Sequence, residues 1–129
     1  MKTTMISLLA AMILSLTAPL YAEDAEIGSM ASILLEMNHF PNEAQAAALQ
    51  SIMSDSQAGA SVRVIAHAIH SIQHQATAQD KQVLSAIAAD LKQSAGTRTL
   101  ASVIVNFDHQ VSAFQKPQLE ALVSAGEAN

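Results

Sequence analysis

Cysteine and tryptophan are absent from this chain of 129 residues, and its only other aromatics beside histidine are three phenylalanines and one tyrosine. Without cysteine there is no disulfide, no thiolate nucleophile, no sulfur-ligated zinc or iron and no cysteine for lipid attachment. With so few aromatic rings, platforms on which bases or sugars stack are excluded. Basic residues are equally scarce. Beyond the N-terminal segment only Arg63, Lys81, Lys92, Arg98 and Lys116 stand against eleven carboxylates, whereas nucleic-acid binding needs clustered Lys and Arg. Four glycines supply no Gly-rich phosphate loop, and there is neither a nucleophile elbow nor a His-Glu-x-x-His motif. Asp108 next to His109 repeats a turn position held by Asn38-His39 and Gln73-His74, so the pair belongs to a repeat and not to a catalytic dyad. The chain is expected not to be an enzyme.

Half of the sequence is hydrophobic, but just one apolar run is long, from Met5 to Leu16. Lys2 precedes it, and Pro19 and Leu20-Tyr21-Ala22 follow it before acidic Glu23-Asp24. That three-part layout is the pattern of a secretory signal peptide, and the run is shorter than the roughly 20 residues a membrane span needs. Residues 1–22 are therefore expected to be removed on export to the periplasm or the exterior. Residues 23–129 then form a single domain with no remaining membrane anchor, long enough to bury a core of their own.

What the sequence does contain is a repeat. His39, His74 and His109 recur every 35 residues without a gap. In register with them lie Leu49, Leu84 and Leu119, and Ile52, Ile87 and Leu122. Each unit opens with apolar residues at i, i+4, i+7: Met30, Leu34, Met37; Ile65, Ile69, Ile72; Leu100, Ile104, Phe107. It continues with Leu49, Ile52, Met53; Leu84, Ile87, Ala88; Leu119, Leu122, Val123 at i, i+3, i+4. Both spacings mark one face of an α-helix. Asn42, Thr77 and Ser112 share a column at which an N-cap is predicted, with Gln45, Asp80 and Gln115 three residues on, close to a capping box. Pro117 falls inside the second helix of the third unit and predicts a late start or a kink there. The fold class is thus all-α: three helix-pair repeats, a helical repeat or bundle, with the last repeat truncated. Periods of 20 to 50 residues signal stacked arrays. The unit has the length of a tetratricopeptide repeat, but the Trp, Leu-Gly, Tyr and Pro positions of that motif are missing.

Two sets of histidines invite a functional reading. His39, His74 and His109 are expected to close the first helix of each unit, where an imidazole meets free carbonyls and the negative end of the helix dipole. Stacked helices lie about 8–10 Å apart, so in an open array one ion is shared between these residues only if the array curves strongly. His67, His70 and His74 instead lie at i, i+3, i+7 on one side of a single helix, and histidines one turn apart are used for divalent metals. Against this, position 70 aligns with Leu35 and Val105, a partly buried slot, and position 67 with Ser32 and Ser102, a solvent-facing one. Met30, Met37 and Met53 fit core stripes better than a copper ligand set. Two functions follow as expectations. One is an exported, non-catalytic scaffold that binds a protein or peptide, with no cofactor. The other is a small periplasmic protein that binds a divalent metal through His67, His70 and His74.

Overall fold

A computed structural model describes residues 18–128. Most of the segment read as an export signal, residues 1–17, lies outside the described residues. Among those described there are six helices and no strand: α1 (Ala18–Glu36), α2 (Glu43–Ser54), α3 (Ala60–His70), α4 (Ala78–Ala89), α5 (Ala95–Val105) and α6 (Lys116–Glu127). No helix among them is long and apolar enough to cross a membrane.

The caps explain where the helices start. The Asn42 side chain accepts from the Gln45 N–H at 2.8 Å while Gln45 accepts from the Asn42 N–H at 2.9 Å, a complete capping box for α2. Thr77 accepts from the Asp80 N–H ahead of α4. Ser112 and Gln115 exchange the same two bonds as Asn42 and Gln45, but the regular helix begins only at Lys116, with Pro117 in its first turn, where a missing N–H removes no helical bond.

The apolar columns are buried unit by unit. Met30, Ile65 and Leu100 have no exposed surface, and neither do Leu34, Ile69 and Ile104, nor Leu49, Leu84 and Leu119. Ala31, Ala66 and Ala101 are fully buried too, which lets α1, α3 and α5 touch one another around a common axis. The outer helices α2, α4 and α6 cover this inner trio.

The pairing of the helices differs from an open stack. The close hairpins are α2 with α3 and α4 with α5, and α6 packs just as intimately against α1. Three hairpin-like pairs therefore surround the axis, and the third is formed by α1 and α6, which no loop connects. Glycines allow it. A Cβ on Gly28 would stand 3.1 Å from the Leu122 carbonyl oxygen, and one on Gly126 would stand 2.8 Å from the Asp24 carbonyl oxygen, so the backbones of α1 and α6 touch directly. Nearby, Glu23 of α1 accepts from Ser94 Oγ at 2.7 Å and from buried Thr97 Oγ1 at 2.6 Å. This places a carboxylate at the N-terminus of α5, the end that favours negative charge.

Candidate metal centre

Each first helix ends three or four residues before its repeated histidine, so the expected helix-terminal role is not what these residues perform. After α1, α3 and α5, buried Met37, Ile72 and Phe107 pin the chain to the core. The chain then reverses around the histidine. His39, His74 and His109 have φ of 71°, 72° and 65°, the positive-φ non-glycine residues among those described. Across His39 the Phe40 N–H donates to the Asn38 carbonyl at 2.9 Å, and across His109 the Gln110 N–H donates to the Asp108 carbonyl at 2.7 Å. Gln73 and Gln75 form an isolated bridge across His74, as the flanking residues do at the other two turns. These are γ-turns of the rare, strained positive-φ kind.

A cycle of backbone hydrogen bonds holds the three turns together. The His74 N–H donates to the His39 carbonyl at 2.7 Å, the His109 N–H to the His74 carbonyl at 2.7 Å, and the His39 N–H to the His109 carbonyl at 2.6 Å. The cycle closes only because the three hairpins close around the axis. The strong curvature that the spacing of stacked helices demands before one ion can be shared is what this closure supplies.

The imidazoles consequently converge at one end of the axis. Their ring centroids are 5.1 Å apart for His39–His74, 5.1 Å for His39–His109 and 4.9 Å for His74–His109. An ion held by three imidazole nitrogens at about 2.0–2.1 Å in tetrahedral geometry keeps its rings about 5 Å apart. One ligand atom from each ring lies within 4.8 Å of the others. Ligand atoms on one tetrahedral zinc ion lie roughly 3.4 Å apart, so the rings must turn to bring these atoms closer. Such rotation is open to these side chains: His74 and His109 are exposed and His39 is half-buried.

A carboxylate orients one of the rings. Asp108 Oδ1 lies 2.5 Å from His109 Nδ1, and its carboxyl is held below the usual range by that bond first and by the Gln75 amide second. Lys81 extends the chain by donating to Gln75 Oε1 at 2.9 Å. With Nδ1 engaged by Asp108, Nε2 of His109 is left as the ligand atom; metal-bound histidines commonly have the other ring nitrogen held by a carboxylate in this way.

Of the helical trio read from the sequence, His74 belongs to the axial cluster and also lines one groove with half-buried His70, Phe40, Pro41 and Ser71. His67 is exposed, its Nδ1 3.9 Å from Asp80 Oδ1, and it borders a different groove with Met53 and Arg63. Among the described residues the histidines that converge are His39, His74 and His109. The 35-residue column was the signal that marks them, and closure of the array is what brings them together.

Comparison of the chain with protein families, with curated proteins and with solved structures finds no match.

Proposed function

We propose that the protein binds a divalent transition-metal ion through His39, His74 and His109. The observation that carries this reading is the convergence of the three imidazoles on one axis from three strained turns. A turn at positive φ suits glycine, which takes it without steric penalty, yet histidine occupies all three. An all-nitrogen donor set favours Zn²⁺, Ni²⁺ or Cu²⁺ over Mg²⁺ and Ca²⁺, which take oxygen ligands, and over Cu⁺, which prefers sulfur. Three histidines leave coordination positions open. At the exposed end of a helical ring these face solvent, without the dry, shaped cavity that metal catalysis requires. The reading is accordingly metal capture or carriage by an exported protein, not catalysis. A face for binding an unrelated protein has less support, because exposed Leu91 and Phe114 stand on separate loops and exposed Phe40 borders the tripod itself.

Isothermal titration and thermal unfolding test the assignment. Zinc at about 100 times its Kd stabilises a folded protein by about 2.7 kcal/mol. That increment is expected for the wild type, and it should be absent in His39→Ala and His109→Ala but retained in His67→Ala and His70→Ala. Loss of binding in His67→Ala with full binding in His109→Ala would return the site to the helical trio.

A further inference from the structure

Resting on the tripod reading above, we infer that a second copy of the chain completes the coordination sphere, so that two tripods face each other across one ion. Three nitrogens arranged about an axis occupy one triangular face of an octahedron, and a second tripod on the same axis supplies the opposite face. The resulting dimer is isologous, the same patch meeting itself, which is the commonest symmetry of soluble oligomers.

Two features of the histidine face fit that occupant. The first is charge. In a chain with eleven carboxylates, residues 37–42, 72–77 and 107–112 include one formal charge beside the histidines, Asp108. That charge is engaged by His109 and Gln75. The rest of the three turns is amide, hydroxyl or apolar, and the Lys81 ammonium that donates to Gln75 sets a positive charge beside Asp108, so two copies approach here with less of the repulsion that the net charge of −5 produces elsewhere. The second feature is Phe40, which is 60% exposed and shares a groove with His74 at the rim of the tripod. It is a large apolar side chain on the one face where a partner would shield it.

Sedimentation or light scattering with added Ni²⁺, an ion that accepts six nitrogen ligands, decides the matter. The mass is expected to double on addition of half an equivalent of nickel per chain, to return to that of a monomer with chelator, and to stay monomeric in His109→Ala. Phe40→Lys, which puts a charge on the rim and leaves the tripod unchanged, should still take up nickel but as a monomer. Uptake of one nickel per wild-type chain without a change in mass would overturn the dimer and leave the tripod standing. A dimer that forms equally without metal or in His109→Ala would overturn the shared site. Absence of any nickel or zinc uptake would overturn both readings.

Discussion

Glycine would satisfy the backbone at positions 39, 74 and 109 with less strain than histidine. A non-glycine residue held in a sparsely populated region costs about 1–3 kcal/mol, while glycine adds about 0.5–1 kcal/mol of conformational entropy to the unfolded chain. A substitution series at position 74, followed by urea unfolding, reads the turn directly. His74→Gly is expected to match the wild type or exceed its stability by up to about 2.5 kcal/mol. His74→Val, whose branched Cβ fits positive φ worst, should be the least stable, with His74→Ala between them. A series in which alanine or valine matched glycine would show that the turn is not at positive φ in solution. All three variants should lose the metal response, which separates the backbone role of the residue from that of its ring. Glu26 offers a second test. Burial above all, then Asp55 and Glu23, raise its carboxyl above the usual value. A group whose folded pKa is raised contributes stability below its unfolded pKa and loses it as pH rises through the folded one. At neutral pH the charged Glu26 is therefore unfavourable. Glu26→Gln should raise the melting temperature at pH 7, and the gain should vanish near about pH 4. An equal gain at both pH values would exclude charge as its origin.

At the scale of the helices, the starts of α2 and α4 were legible because they are set by local chemistry, while the ends of α1, α3 and α5 fall three or four residues before the histidines expected to close them. Asn42, Thr77 and Ser112 bond to the N–H three residues on, as their column predicted, and Thr77→Ala should cost about 0.5–2 kcal/mol. The core columns were legible for the same reason, and Leu84→Ala, at a position with no exposed surface, should cost about 2–5 kcal/mol. What a periodic stripe does not say is which helix it faces. The stripes of α1 and α6 look like those of the other units, yet these two helices pack together although they stand at opposite ends of the sequence. One signal did exist: Gly28 occupies the column of Arg63 and Arg98, and its bare backbone is what the α6 contact uses. Gly126→Ala tests this contact. Its Cβ would meet backbone at 2.8 Å, so nothing nearby yields by rotating a side chain, and overpacking of this kind costs about 1–3 kcal/mol. Gly59→Ala, with nothing nearer than 3.9 Å, should be close to neutral in the same unfolding measurement.

Over the whole molecule, the histidine cluster and the α1–α6 seam are two consequences of one closure. An open stack of the same units would separate the rings by the spacing of stacked helices, about 8–10 Å, and would break the cycle of three backbone hydrogen bonds. The period singled out the three residues, but the metal was expected at His67, His70 and His74, which share only His74 with the cluster, because convergence depends on long-range packing that no local pattern encodes. Closure also makes the position of the chain break arbitrary. Gly126 of α6 lies against Asp24 and Ala25 of α1, while Gln57 sits in the exposed loop between α2 and α3. A circular permutant that joins the end of α6 to Ala18, where α1 begins, through a short flexible linker and opens the chain at Gln57 keeps all three histidine turns and all six helices. It should show the helical circular dichroism of the parent, a single cooperative unfolding transition, and the same metal-induced rise in melting temperature. Were the units an open array, the permutant would instead cut one hairpin and gain nothing from the new linkage. It would then melt well below the parent and lose the metal response, and that outcome would refute the ring.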